Sequence, residues 1–132
     1  MTSPQSSNHA VIIGGSIAGL LAAKVLSEYY AQITIVERDA IELQKSERKG
    51  VPQSLQPHIL LAKGYCILKD FFPDIDRHLL AAGAVPVDWG QAFRYFSFGG
   101  WSATQTAESE VKSFSCTRPL LETVVRQQVE AL

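Results

Sequence analysis

Val11-Ile12-Ile13-Gly14-Gly15-Ser16-Ile17-Ala18-Gly19-Leu20-Leu21 runs from an apolar, β-branched segment through a glycine turn into an alanine- and leucine-rich segment. Strand, tight turn and helix in that order open a βαβ unit, and the glycine spacing suits a turn that cradles a pyrophosphate. Gly14 is expected to reverse the chain where a side chain would clash. Gly15 and Ser16 keep the turn slim, so that a pyrophosphate can approach the backbone. Gly19 lets the new helix pack against the strand it came from. The N–H groups around Ile17 and Ala18, at the positive end of the helix dipole, are expected to face the phosphates. Ser16 stands where the G-x-G-x-x-G pattern has its second glycine. Serine is small, and its hydroxyl is a candidate donor to a phosphate oxygen.

The next apolar run, Ile33-Thr34-Ile35-Val36, ends on Glu37. That is roughly twenty residues beyond the first glycine, where a carboxylate can accept hydrogen bonds from both ribose hydroxyls of an adenosine. The plainer reading of the same residues is a glycine-rich turn in an ordinary α/β protein, with Glu37 a solvated strand end. The continuous apolar character of residues 9–13 and 32–37 predicts two strands buried on both faces, as in parallel sheets. Residues 17 to about 29 read as a helix apolar nearly all round, with Lys24, Ser27 and Glu28 as a narrow solvent stripe. Strand–helix–strand in this order implies a right-handed crossover and parallel strands.

The 132 residues suit one domain, with 1–8 a flexible N-terminus and 9–132 the folded part. Hydrophobic residues make up 46%, enough for a packed core, and the formal net charge of −1 gives no support for a nucleic-acid or acidic-membrane partner. Residues 1–8 have neither the basic start nor the apolar core of a secretory signal, and the apolar run from 11 to 26 is too short and too punctuated for a membrane span. Cys66 and Cys116 have neither metal-ligand nor redox spacing, so reduced thiols and a cytoplasmic location are expected.

Residues 38–50 read as a charged connector. Pro57 suits a first helical position, which predicts a helix over about 58–71, closed by Pro73. Asp74 is expected to cap a second helix over 75–82, with Gly83 at its C-terminal end. His58 and His78 lie near no nucleophile or metal set and read as structural or surface residues. Residues 84–89, 91–98 and 101–106 are predicted strands, the last two joined by a hairpin at Gly99-Gly100. The aromatic residues Trp89, Phe93, Tyr95, Phe96, Phe98 and Trp101 form either a packed sheet face or, less simply, a wall of a substrate pocket. A further strand over 111–116 leads through Thr117-Arg118-Pro119-Leu120-Leu121-Glu122 into a last helix. Pro119 sits in its first turn, Glu122 lies favourably near its N-terminus, and Leu121, Val124, Val125 and Leu132 form its apolar stripe.

Four motifs in order carry a resemblance: Gly14-Gly15-Ser16-Ile17-Ala18-Gly19-Leu20, Val36-Glu37-Arg38-Asp39, Arg48-Lys49-Gly50-Val51-Pro52-Gln53, and Thr117-Arg118-Pro119-Leu120-Leu121-Glu122. Together they resemble the successive N-terminal signatures of FAD-dependent monooxygenases of the aromatic-hydroxylase class, over nearly the whole chain from His9 onward. The fold this implies is α/β: a partial FAD-binding Rossmann-like domain with a βαβ start, a helical pair, a β-rich insertion and a final helix, truncated by comparison with the family. The resemblance implies that Gly14, Gly15, Ser16, Ile17 and Ala18 hold the pyrophosphate of FAD. Glu37 would hold the adenosine ribose, with Arg38 by the adenine or its ribose. Arg48 to Gln53 would approach the flavin end, and Arg118 would reach the ribityl–phosphate region. Relatives often carry Gly-Arg-His after Val-Pro-Gln; here Ser54, Leu55 and Gln56 stand there instead.

No Ser/His/Asp set, carboxylate pair or metal cluster is apparent, and no catalytic residue is assigned. That suits an enzyme whose flavin carries the chemistry, with NAD(P)H as a possible electron donor and a small organic molecule as substrate. Two other readings are an NAD(P)-binding domain of a dehydrogenase or reductase, and a non-enzymatic shortened product. The β-rich insertion and the Arg118-Pro119 helix start argue against the former. By comparison with the family, a strand should follow the last helix and lie beside the first strand. Residues 1–132 alone are therefore expected to be marginally stable and inactive, or to take the missing strands from a partner chain.

Overall fold

The computed structural model describes residues 8–40 and 57–132. They form a mixed α/β fold in which four helices pack with three small sheets. The N-terminal unit is strand β1 (His9–Ile13), helix α1 (Ile17–Leu26) and strand β2 (Gln32–Val36). β1 and β2 pair in parallel, with His9 opposite Gln32 and Ile13 opposite Val36. The crossover from one to the other is α1, as the apolar run, turn and second apolar run imply.

The two strands are buried on one face only. In the observed register Ala10, Ile12, Ile33 and Ile35 share the inner face, of which Ile12 is buried and the others half-buried. His9, Val11, Ile13, Thr34 and Val36 share the outer face, where Val11 is 59% and Ile13 90% exposed. The expectation of burial on both faces is thus corrected: among the described residues no layer packs on the outer side. His9 Nε2 and Thr34 Oγ1 form a hydrogen bond of 2.8 Å on that face. α1 is also shorter and less enclosed than its composition suggested. It ends at Leu26, buries Leu20 and Ala23, and leaves Ala18 and Val25 exposed. Lys24 meets Glu28 at 3.7 Å on the expected solvent stripe.

The predicted helix over 58–71 splits in two. Pro57–Ile59 is a strand, β3, and helix α2 begins only at Ala62 and ends at Phe71. Pro57 therefore opens a strand rather than a helix, a position that requires no N–H from it. Leu60 N–H continues the pairing to Phe114 C=O at 3.1 Å. Helix α3 (Ile75–Ala81) and strand β4 (Val85–Asp88) follow. Asp74 occupies the N-cap of α3 as expected, but its side chain makes no capping bond.

The predicted strand over 91–98 and its return over 101–106 contract to two residues each, β5 (Phe96–Ser97) and β6 (Gly100–Trp101). Ser97 pairs with Gly100, so the turn is Phe98-Gly99 rather than Gly99-Gly100. Both turn residues have positive φ, +51° and +82°, as a tight two-residue hairpin requires. The aromatic residues here meet in pairs rather than across one packed sheet face. Trp89 stacks on Phe93 at 4.5 Å, and Phe96 meets Trp101 edge-on at 5.3 Å. Tyr95, Phe96, Phe98 and Trp101 remain exposed.

Strand β7 (Lys112–Thr117) is the centre of an antiparallel sheet ordered β3-β7-β4. Helix α4 (Arg118–Glu130) follows without a break. Thr117 caps it by accepting from Leu120 N–H at 3.3 Å, and Pro119 lies in its first turn as expected. α4 is the hub of the core, packing against α1, α3 and β7. Leu121, Val124 and Val125 join Leu20, Leu60, Leu68, Phe72, Ile75, Leu79 and Phe114 in one cluster. Leu132, expected on the same stripe, lies beyond the helix and is exposed. Among the described residues no helix is long and apolar enough to cross a membrane.

Asp88 at the end of β4 organises the segment between β4 and β7. Its carboxylate accepts from the N–H groups of Ser109 at 2.8 Å, Gly90 at 2.9 Å and Gln91 at 3.2 Å. These bonds, that from Ser109 first, hold its pKa below the usual carboxylate range. A depressed carboxylate stabilises the fold at pH values above its unfolded pKa and loses that contribution as the pH falls through the lower, folded value. Both tryptophans, Trp89 and Trp101, report on this segment. Their emission should therefore hold down to about pH 4, the midpoint of an ordinary Asp, and change only below it as Asp88 protonates. In Asp88→Asn the changed emission should already be present at neutral pH and the acid transition should flatten. An acid transition identical in both proteins would contradict the assignment.

Candidate nucleotide site

The loop between β1 and α1 and the end of β2 meet at one end of the parallel pair. Gly14 has φ +104° and donates its N–H to Val36 C=O at 2.7 Å, which ties the turn to β2. The expected clash at this position is not what selects glycine: an added Cβ would meet nothing within 4 Å. The backbone conformation selects it, because side-chain-bearing residues rarely adopt this φ. The steric limit falls on Gly19 instead. A Cβ there would overlap the carbonyl oxygen of Gly14 and press on Ile12 Cγ2 at 3.4 Å. Gly19 thus lets α1 lie close to the turn and, at Ile12, to β1, the strand it was expected to pack against.

Glu37 follows β2 directly, and its carboxylate faces back to the turn. Gly15 N–H donates to Glu37 Oε2 at 2.6 Å, and Asp39 N–H donates to Oε1 at 2.9 Å. The acid and the glycine turn are therefore one site. The first helical bond of α1 runs from Leu20 N–H to Ser16 C=O at 2.9 Å. The N–H groups of Ile17, Ala18 and Gly19 precede it and have no acceptor within the helix. A groove of about 540 Å³, with Glu37, Arg126, Leu20, Ile33 and Tyr30 among its lining, runs beside the site between α1, β2 and the end of α4.

The Ser16 hydroxyl donates to Glu122 Oε2 at 2.9 Å, which directs its proton at α4. Glu122 in turn lies outside the first turn of its own helix and is buried, not a solvated partner of the helix dipole. Its Oε1 accepts from Arg126 at 3.2 Å, and the Arg126 guanidinium also donates to Gly15 C=O. Arg126 is only 5% exposed. Reading the sequence missed Arg126 altogether. A signal was present: an acid and a base four residues apart, interleaved with the core positions Leu121, Val124 and Val125.

The remaining sequence-derived candidates separate. Arg38 points to solvent, its side chain 83% exposed and 3.7 Å from Asp39 Oδ1. Arg118 opens α4 and shares a helix face with Glu122 and Arg126, at successive four-residue steps. Its Nε is buried and has no hydrogen-bond partner among the described residues. Arg48 and Gln53 lie outside the described residues, as does the rest of the segment between Ala40 and Pro57. Among the described residues no group of three His, Cys, Asp or Glu side chains is placed to hold a metal ion. Both cysteines are free; burial pushes the Cys116 thiol above its ordinary pKa.

No family model matches the chain. It is 35% identical over 124 residues to Protein Rv3254 of Mycobacterium tuberculosis (strain ATCC 25618 / H37Rv), an alignment covering 92% of this chain and 26% of that protein. The chain thus spans about a quarter of the length of the curated relative it matches.

Proposed function

We propose that the chain is the FAD-binding portion of a flavin-dependent oxidoreductase, a monooxygenase of the aromatic-hydroxylase class, with a Rossmann-like opening unit. The observation that carries this reading is the bond between Glu37 and the glycine turn. Acid and turn sit together at the carboxyl ends of two parallel strands, the place where open α/β sheets take nucleotides. Two features support a dinucleotide there. Beside Gly14 there is open space where a side chain would otherwise stand. Arg118 Nε is a buried donor with no partner among the described residues.

On this reading Gly14 to Ala18 receive the pyrophosphate through main-chain N–H groups and the dipole of α1. Glu37 accepts from the adenosine ribose, held in orientation by the Gly15 and Asp39 N–H groups. Arg38 covers the adenosine from the solvent side, and Arg118 serves the ribityl–phosphate region. Arg48 and Gln53 are assigned to the flavin end on the resemblance alone. The bound flavin supplies the redox and oxygen chemistry, drawing on a reduced nicotinamide, while these residues bind, orient and exclude water. The two-stranded β1-β2 sheet, with an unpaired edge on each strand among the described residues, fits a protein in which further strands, from more polypeptide or from a partner chain, complete it.

Titration calorimetry of the chain with FAD, NAD and NADP tests the reading. FAD is expected to bind. NADP is expected to bind at least about tenfold more weakly, because Glu37 repels a 2′-phosphate. Equal affinity for NADP, or tight NAD binding without FAD binding, would assign the site to a dehydrogenase or reductase instead.

A further inference from the structure

We propose that Arg126, seated on Glu122, is a positioning residue that sets the direction of the phosphate-binding turn from α4. The inference rests on the reading of that turn as a pyrophosphate site. Its ground is the peptide geometry of Gly14 to Ser16. In a trans peptide the C=O and the following N–H point opposite ways. Gly15 N–H is drawn to Glu37 at 2.6 Å, which sends Gly14 C=O the other way, to where it lies against Gly19. Gly15 C=O is drawn to the buried Arg126 guanidinium, which turns Ser16 N–H away from α4. Two consecutive peptide planes are thereby fixed by side chains from β2's end and from α4.

Glu122 completes the clamp. Its Oε1 orients the guanidinium at 3.2 Å, and its Oε2 holds Ser16 through the hydroxyl at 2.9 Å. The pair also cancels charge: with Arg126 in place, no uncompensated Glu122 carboxylate faces an incoming pyrophosphate. A buried ion pair contributes little stability relative to apolar packing, yet it fixes geometry. Here the geometry it fixes joins residues 111 positions apart at the turn itself.

The test compares the full chain with Arg126→Lys and Glu122→Gln. Lysine keeps the charge but has no planar fork with which to hold Gly15 C=O and Glu122 together. Glutamine keeps an acceptor and serves as the conservative variant. In the ligand-free chain, amide hydrogen exchange of residues 14–19 should quicken in Arg126→Lys, while the thermal midpoint stays close to the parent's. Losing the aligned turn should weaken ADP by roughly 10- to 100-fold, the range for lost charge-assisted hydrogen bonds. Adenosine, which lacks the pyrophosphate, should change less than twofold, and Glu122→Gln, which keeps an acceptor for the guanidinium, should quicken the exchange less than Arg126→Lys does. Unchanged exchange and an unchanged ADP-to-adenosine ratio in Arg126→Lys would overturn the proposal. So would an equal loss for both ligands together with a general fall in stability, which marks a merely structural residue. A parent chain that binds neither ligand would refute the nucleotide reading, while the exchange data would still decide whether Arg126 sets the turn.

Discussion

Gly19→Ala should destabilise the chain by at least about 3 kcal/mol, the upper end of the range for overpacking. Alanine is the best helix former, and in most helix positions this substitution helps by up to about 1 kcal/mol. Here the added methyl would overlap the Gly14 carbonyl oxygen, a main-chain atom that cannot swing aside. Relief would require moving the turn, and the turn is held to Val36, Glu37 and Arg126. Gly64→Ala is the matched control. Gly64 lies within α2, and its added Cβ would meet only Leu60 Cδ1 at 3.2 Å, the far end of a flexible side chain. Urea unfolding should thus show a sharp fall in midpoint for Gly19→Ala and little change for Gly64→Ala. Equal midpoints for the two variants would show that helix and turn are not in the contact described.

Glu37→Ala should weaken FAD by roughly 10- to 100-fold, since a hydrogen bond to a charged group contributes about 1.5–3 kcal/mol. The residue acts twice in this account. It receives the ribose, and it holds Gly15 N–H and Asp39 N–H in place at 2.6 and 2.9 Å. Glu37→Gln separates the two roles. The amide oxygen can still accept one main-chain bond, but the negative charge that disfavours a 2′-phosphate is gone. The discrimination between NAD and NADP should therefore shrink in Glu37→Gln, while part of the FAD affinity survives. FAD bound as tightly by Glu37→Ala as by the parent would remove the ribose from this carboxylate.

How much of this was legible in the sequence differs by element, for physical reasons. The parallel pairing of His9–Ile13 with Gln32–Val36 follows from local patterns: two apolar runs, a glycine turn and a helix between them. The proximity of Glu37 to the turn follows from that topology. Residues 57–61 were not legible, because their state is decided by pairing with β7, more than fifty residues away in sequence. Proline before an apolar run suits either a helix or a strand start, and only the remote partner decides. The one-sided burial of β1 was equally hidden. A continuous apolar run states that both faces are suited to burial, and Ile13 is nonetheless 90% exposed. At the site, Gly14, Gly15 and Glu37 could be found from spacing. The Ser16–Glu122–Arg126 clamp could not, since it joins chain segments whose meeting depends on the packing of α4 against α1.

The account's central claim is that a dinucleotide is held at the glycine turn beside Glu37. Titrating isotopically labelled chain with ADP, and following the backbone amides by two-dimensional NMR, tests it most directly. The predicted result is saturable shifts centred on Gly15, Ser16, Ile17, Ala18 and Gly19, extending to Glu37. Shifts centred elsewhere, such as on the exposed hairpin around Phe98, or no saturable shifts at all, would contradict it.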